Sequence, residues 1–317
     1  MHIVTGAAGF IGSNLVRELN ARGISDIIAV DDLEQGDKFL NLRHSAIADF
    51  LDKREFRDAI RRDAPGLQAR AVLHQGACAD TTEQDGHYMV ENNFTYSKEL
   101  LQWALDRQIP FVYASSASVY GAGRQCVEEP EYEKPLNVYA YSKLLFDQYV
   151  RRRLTDARST IVGLRYFNVY GPGERHKGRM ASMVYQLHDQ LVRTGVARLF
   201  EGTDGYAHGE QRRDFIYVGD VAAINLFFAQ GGPKHGVFNV GTGQSRSFND
   251  IARILIAQLG RGEIQYIPFP DSLRGKYQSF TESDISRLRA AGYDQPFTSL
   301  EDGIRQLCEL VKEEGSR

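Results

Sequence analysis

The chain has 317 residues, 42% of them hydrophobic and 25% charged, with a formal net charge of −3. That length suits two core-bearing lobes, and the near-neutral balance excludes a long basic stripe; the clusters Arg61-Arg62 and Arg151-Arg152-Arg153 read as solvated helix faces, so no nucleic-acid partner is expected. No charged-then-apolar leader precedes the first strand and no apolar run approaches the ~18–20 residues of a membrane span, so the expectation is a cytoplasmic protein with no membrane partner. Cys78, Cys126 and Cys308 are scattered and His74, His87, His176 and His188 lack ligand spacing, so neither a disulfide framework nor a metal is implied.

His2-Ile-Val-Thr5 reads as a buried strand running into Gly6-Ala-Ala-Gly9-Phe-Ile-Gly12 and an amphipathic helix over Ser13–Arg22. A second strand follows over Asp26–Val30. The glycines let the chain turn tightly, bring backbone N–H groups to a pyrophosphate and pack helix on strand, so a nucleotide cofactor is expected. Asp31-Asp32 close the second strand roughly twenty residues on, where a carboxylate accepts hydrogen bonds from the adenosine ribose and so favours NAD. Lys38 and Lys53 follow, and either could neutralise the 2′-phosphate of NADP. Local physics leaves the choice between NAD and NADP open.

Helical stretches near Arg54–Arg61, Met89–Arg107 and Tyr139–Leu154 alternate with strand-like runs at Ala71–His74, Pro110–Ala114 and Ile161–Tyr166. That alternation predicts an α/β fold built on a doubly wound parallel sheet, Rossmann-like. Ligands bind outside the carboxyl ends of such strands, so Gln75-Gly-Ala77, Ser115-Ser116 and Asn168 should line one crevice with the glycine turn. After Tyr170-Gly-Pro172 the texture turns glycine- and arginine-rich, which reads as a smaller mixed α/β substrate lobe. The chain is expected to return to the sheet near Asp214–Val218 and again near Val237–Asn239. The cofactor domain is thus expected over residues 1–170 plus about 214–240, and the substrate lobe over about 171–213 and 241–317. Gly202–Gln211 reads as an exposed loop beside the site.

Tyr139 and Lys143 stand four residues apart in Asn137-Val-Tyr-Ala-Tyr-Ser-Lys143, downstream of Ser115-Ser116. A helix places such a pair on one face, roughly 5–6 Å apart at Cβ, so the ammonium can sit beside the phenol. A neighbouring cation favours the phenolate, and Tyr139 could then exchange a proton with a substrate hydroxyl near neutral pH as a general acid/base.

Four segments occur in order: Gly-x-x-Gly-x-x-Gly, Tyr-Ala-Ser-Ser-Ala-Ser-Val-Tyr-Gly, Tyr-x-x-x-Lys and Arg-Tyr-Phe-Asn-Val-Tyr-Gly-Pro. Together they resemble the extended short-chain dehydrogenase/reductase superfamily. Ala77–Glu83, Tyr132–Tyr139, His176–Ser182, Leu199–Gly202, Arg213-Asp-Phe215 and Gly275-Lys-Tyr-Gln278 more particularly resemble the branch that inverts C6″ of an ADP-linked heptose. The resemblance spans essentially the whole chain. It implies a substrate, ADP-D-glycero-D-manno-heptose, on the way to the lipopolysaccharide inner core. It also implies tightly held NADP, with NAD able to serve, and a homo-oligomer, a pentamer in the family.

By position the resemblance makes Ser116 the residue bonded to the reacting carbinol, Tyr139 the acid/base, Lys143 the nicotinamide-ribose ligand and Lys177 the proton donor on the other side of the pocket. The cofactor wall it implies is Gly6, Gly9, Phe10, Ile11, Gly12, Asp31, Asp32, Lys38, Lys53, Gln75, Gly76, Ala77, Cys78, Ala79, Asn92, Tyr139, Lys143, Val169 and Lys177. Asn168, Phe200, Glu201, Gly202, Thr203, Arg213 and Tyr277 match substrate contacts, as do Arg179 and Gln186, where some members carry serine and histidine. A UDP-hexose 4-epimerase would share the cofactor domain and differ in the substrate lobe. A 4,6-dehydratase carries Asp-Glu after the active-site hydroxyl, where this chain has Ala117-Ser118. A non-catalytic sensor on the same fold would be indifferent to losing Tyr139.

Overall fold

The apolar runs separated by turn residues form strands β1 (His2–Thr5), β2 (Ile27–Asp31), β3 (Asp49–Asp52), β4 (Ala71–His74), β5 (Phe111–Ser116), β6 (Ile161–Tyr166), β7 (Asn168–Tyr170), β8 (Val196–Phe200), β9 (Arg212–Tyr217), β10 (His235–Val240), β11 (Ser245–Ser247) and β12 (Glu263–Ile267). The helices are α1 (Phe10–Ala21), α2 (Lys53–Arg61), α3 (Gly86–Met89), α4 (Tyr96–Asp106), α5 (Val138–Arg151), α6 (Met183–Thr194), α7 (Val218–Gln230), α8 (Phe248–Leu259), α9 (Ser286–Ala290) and α10 (Leu300–Gly315). The structure, a computed structural model, describes residues 1–64, 66–232, 234–271 and 277–315.

Seven strands make one parallel sheet in the order β10-β6-β5-β4-β1-β2-β3, as a doubly wound fold requires. Strands buried on both faces need apolar side chains throughout, and period-2 alternation sends them to opposite layers. Val4, Leu73, Val112 and Leu164 pack on one face with Leu15 and Val16 of α1 and Ile224 of α7. Ile3, Val72 and Phe111 pack on the other with Phe56, Leu100 and Phe146 of α2, α4 and α5. The strand order reverses between β1 and β4, which places the binding crevice at their carboxyl ends, beside Thr5 and His74.

A second body of structure covers that edge. Strands β11, β9 and β7 form a three-stranded sheet and β12 pairs with β8, while α6, α8 and α10 close an apolar cluster around Leu187, Ile251 and Ile304. Here the expected topology is corrected. The segment around Asp214–Val218 does not rejoin the central sheet, because β9 pairs parallel with β7 and antiparallel with β11. Val237–Asn239, by contrast, lies in β10 and pairs with β6 as expected. A buried apolar run looks the same whichever sheet receives it.

Boundaries moved where side chains rather than periodicity decide. Helix α1 begins at Phe10 instead of Ser13, so the last part of the glycine segment is already helical. The helix expected over Met89–Arg107 is present as a continuous run from α3 to α4, with a π-helical segment at Val90–Thr95 between them. Strand β5 runs on to Ser116, placing that hydroxyl at the sheet's carboxyl edge.

Gly12 is glycine for space. A Cβ there would lie 2.0 Å from the Gly6 carbonyl oxygen, and Gly6 itself holds φ +66°. Gly12→Ala is expected to force α1 away from β1 and lower stability by about 1–3 kcal/mol. A lower urea midpoint together with loss of retained cofactor would show this, and an unchanged midpoint would refute it.

Candidate active site

Gly9 caps α1 with no side chain of its own, so the first N–H groups of the helix are left for an anion. The turn is braced from two sides. Ala8 N–H donates to Asp31 Oδ2 at 2.7 Å, and the Ala8 carbonyl accepts from the Asn41 side-chain amide at 2.9 Å. A Cβ on Gly76 would meet Thr5 Oγ1 at 3.1 Å, so the chain after β4 also passes close to the turn. These features fit the pyrophosphate of a dinucleotide.

At the end of β2 the carboxylates are not free. Asp31 accepts from Lys38 Nζ at 2.5 Å, and Asp32 pairs with Lys38 at 3.1 Å and Lys53 at 2.7 Å. Burial works against both ammoniums, and the carboxylates more than offset it, so both lysine pKa values rise. Two cations and two carboxylates thus stand together where the adenosine ribose binds in this fold, able to serve a hydroxyl or a phosphate.

Next to the turn, Gln75 is held by Tyr166 Oη at 3.0 Å and Asn225 at 3.1 Å, and His74 bonds Thr5 Oγ1 at 2.6 Å and Ser97 Oγ at 2.8 Å. Burial, with the charge of Lys143, pulls His74 down to about 3, so the ring is neutral. The Ala77-Cys78-Ala79 segment is fixed by Asn93, whose side chain bonds both the N–H and the C=O of Cys78, at 2.8 and 3.0 Å. Asn93 escaped sequence reasoning, because the π-helical segment that carries it leaves no mark in the periodicity; its neighbour Asn92 is half-buried and bonds Tyr88 Oη.

Tyr139 stands next to Ser116, and Ser118 Oγ donates to Ser116 Oγ at 2.8 Å, so the two serines and the phenol form one cluster. Ser115 turns the other way, to Asp147. Lys143 Nζ lies 6.0 Å from the Tyr139 ring centroid and donates to the Ala114 carbonyl at 2.9 Å. Burial raises the Tyr139 pKa, the Ser116 bond opposing it, so the phenol is protonated at neutral pH. Burial also draws the Lys143 ammonium down to about 8.

Lys177 reaches the same crevice from the loop after β7. Its Nζ stands 4.9 Å from the Phe10 ring centroid and 3.4 Å from Glu174 Oε2. Glu174, fully buried, also accepts from Gly171 N–H, Ser182 N–H and Ser182 Oγ at 3.2, 2.6 and 2.7 Å, anchoring both ends of the Lys177 loop. Asn41 bonds that loop as well, at Gly173 O and His176 Nδ1, both 3.2 Å. Neither Glu174 nor Asn41 carries a local motif. Val169 lies half-buried in β7 beside exposed Asn168.

The remaining positions frame the outer wall. Arg213 is buried with its guanidinium 4.9 Å from the Tyr277 ring centroid and 5.7 Å from that of Phe248, and it pairs with no carboxylate among the described residues. Burial lowers its pKa. Phe200 and Tyr277 pack with Phe269, and Gly202 N–H donates to His208 Nδ1 at 2.9 Å in the loop that carries Glu201 and Thr203. Arg179 bonds Asp80 and Thr82, while Gln186 bonds the carbonyls of Arg179 and Ala181. Gly275 and Lys276 lie outside the described residues.

A glycine-turn dinucleotide site beside a serine–tyrosine–lysine set defines an enzyme of the nucleotide-sugar epimerase and dehydratase class. The model of the NAD dependent epimerase/dehydratase family matches residues 2–241, and the chain belongs to that family. It is 55% identical over 311 residues to the ADP-L-glycero-D-manno-heptose-6-epimerase of Alkalilimnicola ehrlichii, covering 98% of this chain and 97% of that protein. Its fold matches the crystal structure of Helicobacter pylori ADP-L-glycero-D-manno-heptose-6-epimerase with a TM-score of 0.85 at 33% identity, over 98% of this chain and 96% of that one. The UDP-glucose 4-epimerase of Thermus thermophilus, solved with NAD, matches with a TM-score of 0.80 at 27% identity, over 98% and 99% of the two chains.

The Lys143 ammonium works against folding. Its pKa falls from 10.5 in the open chain to about 8 in the fold, so the unfolded state binds the proton more tightly. The penalty is complete below about 8 and fades as pH rises toward the ordinary lysine value. Lys143→Met is therefore expected to be more stable than the parent by on the order of 1–3 kcal/mol at neutral pH, with the gap narrowing in alkali. Urea unfolding at neutral and alkaline pH checks both the sign and the trend.

Proposed function

We propose that this chain inverts C6″ of ADP-D-glycero-D-manno-heptose to give ADP-L-glycero-D-manno-heptose, using NADP, in the cytoplasmic supply of heptose for the lipopolysaccharide inner core. The observation that carries the reading is identity of 55% to a heptose 6-epimerase over 98% of the chain, which includes the substrate-facing segments. The geometry supports it. The carbinol is unactivated, so inversion proceeds through a 6″-ketone that re-presents its opposite face. A bound nicotinamide dinucleotide supplies the hydride acceptor and returns the same hydride, so the reaction is redox-neutral.

The side chains handle the proton and the anion. Ser116, held by Ser118, hydrogen-bonds the reacting oxygen beside Tyr139, which takes and returns the hydroxyl proton. The Lys143 ammonium, once the ribose and substrate fill the crevice, stabilises the phenolate. Lys177, fixed by Glu174 and standing against Phe10, is the proton donor once the ketone oxygen has moved. Arg213, a buried guanidinium with aromatic neighbours, suits the ADP pyrophosphate. NADP is favoured over NAD because both Lys38 and Lys53 stand at the Asp31-Asp32 edge, where their ammoniums can transfer from Asp32 to a 2′-phosphate.

Purified protein given ADP-D-glycero-D-manno-heptose without added cofactor is expected to yield an equilibrium mixture of C6″ epimers by proton NMR. No conversion after addition of NADP and then NAD would move the assignment to a UDP-hexose 4-epimerase, tested next with UDP-galactose. Tyr139→Phe should lose about 10²–10⁴-fold in turnover while retaining cofactor. Lys38→Ala and Lys53→Ala should each weaken NADPH binding by roughly 10–100-fold and NADH binding little, measured by fluorescence titration. Equal loss for both cofactors would argue against the 2′-phosphate contact.

A further inference from the structure

Three residues of α5, one turn apart, each reach β5. Tyr139 stands next to Ser116, Lys143 donates to the Ala114 carbonyl, and Asp147 accepts from Tyr113 Oη and Ser115 Oγ, both at 2.9 Å. Spacing of i, i+4 and i+8 places all three on one helical face. They tie four successive strand residues to one helix. Asp147 is fully buried and also accepts from Arg165 Nε at 2.9 Å, so its carboxylate joins β5, β6 and α5. Arg165, likewise fully buried, spends its other nitrogens on Tyr120 Oη and Glu133, and Glu133 pairs with Arg151 as well.

We infer that Asp147 is a positioning residue for the reaction proposed above: its carboxylate holds α5 in the register that brings Tyr139 onto Ser116, and it supplies the anion facing the Lys143 ammonium. The inference rests on the assignment of Tyr139 and Lys143 as the working pair. A carboxylate present only to neutralise Arg165 would need neither the two strand hydroxyls nor a place one turn from the lysine. The groups facing Lys143 are Asp147 and Tyr139 from its own helix, neutral His74 from β4 and Cys78 from the loop that follows β4. Facing Asp147 are Tyr113 and Ser115 from β5, Arg165 from β6, and Arg151 on α5, with Glu133 beyond Arg165. Burial drives the Lys143 proton off and the Asp147 charge opposes it.

Asp147→Asn removes the charge and keeps one of the two acceptor oxygens. Lys143 should then lose its proton at lower pH, by about one unit, and the alkaline limb of kcat/KM should move with it. Asp147→Glu should restore the limb. Arg165→Gln should lower stability without moving the limb to lower pH, because it leaves the Asp147 charge in place. Lys143 is also read without substrate, in cofactor-loaded protein carrying ¹³C-methylated lysines, with the resonance assigned through Lys143→Arg. A shift in that titration without any turnover by the parent protein would support the placement of Asp147 and overturn only the assigned reaction. A parent protein that turns over, with Asp147→Asn matching it in both the titration and the limb, would overturn the inference. If Asp147→Asn does not fold, the double variant Asp147→Asn, Arg165→Gln leaves no unpaired charge at these two positions and is expected to show the same shift.

Discussion

The approach of Gly12 to the carbonyl of Gly6, closer than any other residue would permit, organises the rest of the molecule. It sets the start of α1 against the end of β1 with uncapped N–H groups facing the crevice. The turn is then a fixed point from which other segments hang. Asp31 holds its backbone from β2, and Asn41 holds it from the chain after β2 while also gripping the Lys177 loop. Asn14, on α1 itself, bonds the Pro172 carbonyl at 2.9 Å. The glycine turn and the Lys177 loop are therefore positioned by the same few hydrogen bonds.

Buried carboxylates do the corresponding work farther out. Asp214, fully buried, takes N–H groups from Thr242, Gly243 and Ser283 at 2.8, 3.0 and 3.0 Å and the hydroxyls of Thr242 and Ser283 at 2.7 and 2.5 Å. Among the described residues that satisfies a carboxylate without a cation, and it stitches β9 to the segments flanking it. Glu174 does the same for the Lys177 loop with three neutral donors and one lysine. Each carboxylate orders several backbone groups that a loop alone would leave to water.

Two buried cations of the crevice, Lys143 and Arg213, sit in surroundings that oppose their charge. Lys143 is drawn down by burial, Tyr139 is pushed up, and Arg213 sits among rings. Structural charges are instead matched: Arg165 meets Asp147 and Glu133, and Arg57 meets Glu91 and Glu99. The contrast is a physical signature of a binding crevice, because an unmatched buried cation is stable only when an anion or a ribose completes its shell.

The strand–glycine–helix opening, the alternation that makes a parallel sheet and the Tyr139–Lys143 spacing were all legible in the chain, because each depends on a short local period or on backbone freedom at single residues. So was the edge where Lys38 and Lys53 stand, since it lies one βα unit after the turn. Tertiary structure alone decided where β9 pairs, that Lys143 bonds the Ala114 carbonyl, and that Asn93 grips Cys78. It alone made Glu174, Asn41 and Asp147 supports of the site. Their partners lie up to 135 residues away in the chain, and a hydrogen bond over that span is set by how strands stack and helices cross, which no local pattern encodes.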